Sequence, residues 1–346
     1  MTTKKFTIKD IAKLAGVSKG TVDRVLHNRG KVSKKAQDKV DSILKEIDYQ
    51  PNPMARSLRE NKVYKICVLI PDMEIDPYWI PAHEGIHNAA NQYRSFGIVV
   101  EQFNYHPKQK NSFIQKSKEA LAYSPDVLLL APLFQKESLQ TQAECKEKNV
   151  RVAFFNNYLN TLSDDLFIGQ DLSQSGRVAA GLIDKTTGDA AKIVIIHIDL
   201  EPHMQFKEKG FKNYFEDKKN SNIDLSTKKF TTDDLGLFEK KVSTYFRAHP
   251  SISAIFITNS KVFMLLPILQ ELNFRGIIIG YDLLTQNIKN LKSGRIDFLL
   301  HQRPKRQAYL GVSYFAEFFL FGKKIMNQNF LPIDIISAEN VDYYIN

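Results

Sequence analysis

Several things are scarce in this 346-residue chain, and each shortage narrows what it can be. There are two cysteines, Cys67 and Cys145, which are expected to be reduced, buried thiols rather than a disulfide. There is one tryptophan, Trp79. No apolar run approaches the roughly 18 residues of a membrane span. The opening MTTKKFTIKD has no apolar h-region, so no secretory signal and a cytoplasmic location are expected. No 20–50-residue repeat and no low-complexity tract stands out. There is no G-x-x-x-x-G-K-[ST] loop and no G-x-S-x-G elbow, so two large enzyme classes lack their motifs, and no cofactor is expected. What remains is an ordinary globular composition, 43% apolar and 25% charged.

The charge is unevenly placed. Residues 1–62 hold 15 Lys or Arg against 7 Asp or Glu, a balance of +8. The whole chain is +10, so the other 284 residues carry +2. A small basic module joined to a near-neutral body is the electrostatic footprint of nucleic-acid binding.

Within that module the pattern is helical. Thr7, with Asp10 three residues on, is a capping box. Ile8, Ile11, Leu14 and Ala15 fall on one helical face, and Gly16 supplies a tight turn. Ser18 is placed to cap a second short helix that buries Val22, Val25 and Leu26. Ser33 is placed to cap a third, with Ala36, Val40, Ile43, Leu44 and Ile47 closing a small core. Helix, glycine turn, helix is the helix-turn-helix arrangement, whose second helix enters the major groove. The outward face of that helix offers Lys19, Thr21, Asp23, Arg24 and His27, all able to bond bases or phosphates. Further on, Asn52 is a cap and Pro53 a first helical residue for a helix from Met54 to about Arg59, too short to be stable alone.

The stretch TIKDIAKLAGVS, then TVDRVL, VS, YQPNP and MARSL resembles the headpiece of the lac repressor/galactose repressor (LacI/GalR) family. The resemblance adds Thr7, Ser18, Gly20 and Asn28 to the DNA contacts. It makes Met54–Arg59 a hinge helix that orders in the minor groove, with Asn52 and Ala55 at the DNA and Leu58 as the apolar wedge. Gly20 has no side chain at a base-reading position of the family, and Asp23 stands where many members carry a small hydroxyl residue. Both departures bear on which operator is preferred.

After Tyr64 the pattern changes. Apolar runs at 65–71, 98–103, 126–132, 151–155, 192–198, 253–258 and 276–281 alternate with longer amphipathic stretches. Near-continuous apolar strands between helices mean a parallel sheet covered on both faces. Such repeats over about 280 residues exceed one compact sheet, so two doubly wound lobes are expected. The resemblance implies the periplasmic-binding-protein-like effector domain, with three crossings between lobes, expected near 158–167, 282–298 and 321–332. The resulting division is a helix-turn-helix headpiece at 1–50, a hinge and linker at 51–62, and a two-lobed effector and dimerisation domain at 63–346.

Ligands of open α/β sheets bind outside the carboxyl ends of the strands. Those ends carry Asp72, Tyr78 and Trp79, then Asn156 and Asn157, then Asn259, Asp282 and Gln302. Aromatic faces beside hydrogen-bonding groups suit sugar rings. Lys207 stands where relatives usually carry an arginine, keeping the charge without the bidentate fork, and His203 lies one helical turn earlier. One competing motif exists. His83-Glu84-Gly85-Ile86-His87 matches H-E-x-x-H, so a zinc-dependent hydrolase with an accessory DNA-binding module is the alternative reading. It lacks an evident third ligand, and Gly85 weakens its helix. The preferred reading has no catalytic residue and no metal. It is a transcriptional regulator, a repressor binding a palindromic DNA operator as a homodimer and a sugar-like effector between two lobes, with no membrane partner.

Overall fold

The computed structural model describes residues 6–26, 30–47, 49, 62–159, 166–188, 191–219 and 222–345. The chain divides into two compact units, Met1–Asn61 and Lys62–Asn346.

In the first unit, α1 (Ile8–Ala15), α2 (Lys19–Leu26) and α3 (Lys34–Glu46) enclose Ile11, Ala12, Ala15, Val22 and Val40. The capping box forms reciprocally between Thr7 and Asp10, and Gly16 ends α1 in the left-handed conformation that only glycine adopts without cost. Two local expectations change. Leu14 is half exposed and lies outside the small core. Ser33 holds the cap position of α3, but its side chain makes no cap hydrogen bond.

The second unit holds two six-stranded sheets. Lobe 1 contains β1 (Tyr64–Pro71), β2 (Ile98–Tyr105), β3 (Val127–Leu130), β4 (Arg151–Asn156), β5 (Leu166–Gly169) and β11 (Gln328–Phe330), in the order β11-β5-β4-β3-β1-β2. Lobe 2 contains β6 (Ala191–Ile198), β7 (Ile223–Phe230), β8 (Ala254–Ile257), β9 (Ile277–Tyr281), β10 (Phe298–His301) and β12 (Asp334–Ile336), in the order β12-β10-β9-β8-β6-β7. Every pairing is parallel except β10 with β12.

The period-2 alternation of a strand sends side chains to both faces, so a doubly covered strand is apolar throughout. In β1, Ile66, Val68 and Ile70 join one core while Cys67 and Leu69 join the other. In β6, Val194, Ile196 and Ile198 face one layer, and Ile193 and Ile195 the opposite one. The helices named below are α4 (Ile80–Tyr93), α7 (Leu172–Thr187), α8 (Pro202–Lys218) and α12 (Pro304–Phe321), counting α5 (Lys110–Ala122), α6 (Gln135–Glu147), α9 (Leu235–Ala248), α10 (Leu266–Glu271) and α11 (Thr285–Lys292) in chain order. α4 packs on α12 in lobe 1, and α7 on α8 in lobe 2.

The lobes are joined at three places, between β5 and α7, between β10 and α12, and between β11 and β12. The first two lie further along the chain than expected. β5 and β10 each add a strand to the sheet already begun before the chain leaves it. One side chain ties all three crossings together. Gln170, in the first, donates from Nε2 to His301 O (2.9 Å) in the second and to Pro332 O (2.7 Å) in the third.

Candidate functional site

On the N-terminal unit, the face of interest is the exposed side of α2. Val22 is its one buried residue, which leaves Lys19, Gly20 and Arg24 exposed and Thr21 and Asp23 half-buried. Ser18 accepts from Thr21 N at 3.1 Å and also bonds the Thr21 hydroxyl, so the helix start is fixed where the N-terminal turn presents its side chains. Thr7 is exposed at the start of α1. A Cβ at Gly20 would meet only Ser18 Oγ, at 3.7 Å, so packing does not require glycine there. His27, Asn28, Asn52, Ala55 and Leu58 lie outside the described residues.

In the second unit the carboxyl ends of the strands converge between the lobes. Asn156 ends β4, Asp282 follows β9, and Arg303 follows Gln302 after β10; all but Gln302 have positive φ, at 71°, 62° and 56°. Left-handed backbone at non-glycine residues costs energy and is held only where surrounding bonds over-determine it. Those bonds form one chain. Asn156 Nδ2 donates to Tyr78 Oη (2.5 Å), Gln302 Nε2 reaches the same oxygen at 3.3 Å, and Gln302 N and Nε2 both donate to the Asp282 carboxylate (2.9 and 2.7 Å). Tyr78 and Asn156 belong to lobe 1, and Asp282 to lobe 2. Gln307 Nε2 in turn donates to Gln302 O (2.6 Å).

Behind this chain lies a charged layer in lobe 2. Lys207 is fully buried, donates to Thr258 O at 3.1 Å, and places its ammonium 3.5 Å from the centre of the Tyr281 ring. Burial brings its pKa down to about 8, against the opposing pull of Asp282 and Glu201. His203 is held neutral by burial, reinforced by Lys207 and His197. Asn259 is turned inward, its Nδ2 donating to Ile198 O and its Oδ1 accepting from Lys261 N. Asn157, also buried, and His203 line a cavity of about 20 Å³ between the lobes, room for about one water.

Two predicted site residues are placed apart from this cluster. Trp79 is buried in the lobe 1 core, edge-on to Tyr78 and Phe155, so of the two aromatics Tyr78 faces the cleft. Asp72 holds the turn after β1, accepting from Glu74 N at 2.9 Å. Residues that sequence reasoning did not select also converge here. Asp199, at the end of β6, takes Lys261 Nζ at 2.5 Å and both donors of Thr232. The strand-end rule applied to β6 would have found Asp199 and Glu201. Gln170 carried no such signal, because its role depends on two distant carbonyls.

The H-E-x-x-H match is explained by packing. His83 Nε2 meets Pro71 O at 3.0 Å inside the lobe, Glu84 pairs with Lys305, and His87 bonds Asn91 on the surface. A Cβ at Gly85 would fall 2.1 Å from Lys305 O, so the glycine permits α4 to touch α12. Among the described residues no group of three His, Cys, Asp or Glu side chains is arranged to hold a metal. Among them also, no helix is long and apolar enough to cross a membrane.

With this geometry in view, comparison with known proteins adds three likenesses. The ribose operon repressor of Halalkalibacterium halodurans is 26% identical over 260 residues, 74% of this chain and 72% of that one. The crystal structure of a putative LacI transcriptional regulator from Bacteroides fragilis superposes with a TM-score of 0.75 at 26% identity, covering 82% of this chain and all of that one. A solute-binding protein of an ABC transporter from Burkholderia graminis, solved with D-arabinose, shares the fold at a TM-score of 0.72 and 18% identity, over 82% of this chain and 99% of its own. Residues 66–324 match the periplasmic binding protein domain and residues 7–52 the lacI family of bacterial regulatory proteins. A basic helix-turn-helix unit, followed in the sequence by two lobes meeting at their strand ends, is thus accounted for: the chain belongs to the lacI family of DNA-binding transcriptional regulators.

Proposed function

We propose that the protein represses carbohydrate-utilisation genes by binding a palindromic operator as a homodimer, and that a sugar or sugar derivative bound between the lobes controls that binding. In this reading α2 enters the major groove, with Arg24 as its base reader and Lys19, Thr21 and Asp23 beside it. Asn52, Ala55 and Leu58, in a hinge and linker over residues 51–62, would act in the minor groove. Tyr78, Asn156, Asp282 and Gln302 bond the effector, and Asn157, Asn259 and His203 stand close to it. The effector must bind two lobe arrangements with different affinity, since equal affinity shifts nothing.

The observation that carries the effector site is the hydrogen-bonded chain Asn156–Tyr78–Gln302–Asp282, because its donors and acceptors come from both lobes and can exchange one another for ligand hydroxyls. A thermal-shift screen of sugars identifies a ligand, which raises the melting temperature by mass action. Asp282→Ala then weakens that ligand by about one to two orders of magnitude, the loss of a charged partner being roughly 1.5–3 kcal/mol, with operator affinity nearly unchanged. A variant that melts lower and loses operator and ligand together would make Asp282 a structural residue only. On the DNA side, Arg24→Ala costs about 1–3 kcal/mol on the operator and less on random DNA; equal losses would assign Arg24 to phosphate contact.

A further inference from the structure

The basic side chains described at the cleft are already held. Lys207 is enclosed, with its ammonium on the Thr258 carbonyl and the Tyr281 ring. Lys261 is bound to Asp199, and Arg303 forms a bidentate pair with Asp334. Lys108, at the rim, stands 3.8 Å from Asp199 and 3.7 Å from Asp233. His203 is neutral.

The carboxylates at the same place are not matched in this way. Asp282 receives the neutral amide donors of Gln302 and has His301 Nδ1 at 3.5 Å. Asp76 accepts from Tyr78 N at 3.1 Å and from the Trp79 side chain. Glu201 has the neutral His203 Nδ1 at 3.3 Å, and among the described residues no Lys or Arg pairs with it. We infer that the effector is a polyhydroxylated molecule carrying no anionic group, and that Asp76, Glu201 and Asp282 exclude phosphorylated and carboxylated sugars from the cleft. The inference rests on the cleft being the effector site, as proposed above.

The physical reason is a sum of charges where water is displaced. Among the described residues, an anion entering here finds no unsatisfied cation to receive it and faces carboxylates from both lobes, at an effective dielectric far below that of water. The carboxylates already feel one another. Burial first, and then Asp76 across the cleft, push Glu201 up to about 7 against the pull of Lys261. Asp76 is raised as well, by burial and by Asp282. Lys207 offers an entering anion little, since its ammonium lies on the Thr258 carbonyl and the Tyr281 ring.

The test uses the full-length protein and matched sets of ligands at pH 7.5. Aldopentoses and aldohexoses, their 2-amino-2-deoxy forms, their terminal phosphates and their uronates are compared by thermal shift and then by calorimetry. The expected result is that ligands raising the melting temperature come from the uncharged or amino sets. The phosphate or uronate of the same sugar then binds at least about 100-fold more weakly. Glu201→Gln, or Asp76→Asn if the former melts early, narrows that gap by about tenfold. A phosphate or uronate binding as tightly as its uncharged parent overturns the inference and leaves the cleft reading standing. An unchanged gap in both variants overturns the assignment of exclusion to these carboxylates. If no member of any set stabilises the protein, the cleft reading falls and this inference with it.

Discussion

The two lobes open on the same frame and put different chemistry into it. In lobe 1, β1 ends at Pro71 and is followed by Asp72, then by Asp76-Pro77-Tyr78-Trp79 and α4 with Gly85. In lobe 2, β6 ends at Ile198 and is followed by Asp199, then by Glu201-Pro202-His203-Met204 and α8 with Gly210. The acidic residue, the proline at a helix start and the buried glycine recur in order. Between them the lobes diverge. Counted from the proline, Tyr78 corresponds in sequence to His203, Ala82 to Lys207, and His83 to Glu208. Lobe 1 therefore offers a phenol, with a buried alanine, Ala82, where lobe 2 has its lysine. Lobe 2 offers a buried ammonium backed by the pair His197–Glu208 (2.7 Å). Shared backbone geometry is what lets the strand ends oppose one another across the cleft. The substituted side chains are what make the two walls unequal.

The glycines give the most severe way to break this comparison. A Cβ at Gly210 would lie 1.8 Å from Ser173 O, and one at Gly85 2.1 Å from Lys305 O. Both clashes are with backbone, so a helix must move. Gly210→Ala and Gly85→Ala are each expected to cost more than about 3 kcal/mol, measured by urea denaturation. A mild Gly85→Ala beside a severe Gly210→Ala would show that only lobe 2 depends on close helix contact.

Glu208 tests the divergent chemistry. Burial alone would raise its pKa, but hydrogen bonds from Lys212, Thr227 and His197 overturn that and bring it to about 2. A carboxyl with a folded pKa below its unfolded one stabilises the fold above about pH 4.5 and loses that contribution as pH falls towards 2. Glu208→Gln should therefore cost about 2–3 kcal/mol at pH 7, and the gap to wild type should close on acidification between those values. A gap independent of pH would mean that Glu208 acts by packing rather than by charge.

The smallest expected effect concerns the join between the lobes. Gln170→Met keeps the volume but leaves the His301 and Pro332 carbonyls without the side-chain donor that links them. The cost is about 1–2 kcal/mol, read as a lower melting temperature. The more telling readout is the distance between spin labels at Lys118→Cys in lobe 1 and Lys240→Cys in lobe 2, since Cys67 and Cys145 are buried and leave surface labelling selective. A broader distance distribution in Gln170→Met is expected, and an unchanged one would deny Gln170 any hold on the lobes.

The sequence alone determined whatever depends on neighbours within a turn of helix or along one strand. Thr7–Asp10, Gly16 and Ser18 act locally, and the apolar runs of β1, β4, β6 and β9 follow from sheets covered on both faces. It could not show that Leu166–Gly169 and Phe298–His301 join their sheets before each crossing, because four-residue strands carry little periodicity. β7 was hidden for another reason. At the edge of its sheet it keeps polar residues, as in Ser226-Thr227-Lys228-Lys229. Only the tertiary structure decided that Trp79 packs inward while Tyr78 meets Asn156 and Gln302, and that Lys207 is enclosed by Thr258 and Tyr281. Each of those outcomes depends on groups brought together from segments far apart in the chain, and side-chain type alone does not say which partner will arrive.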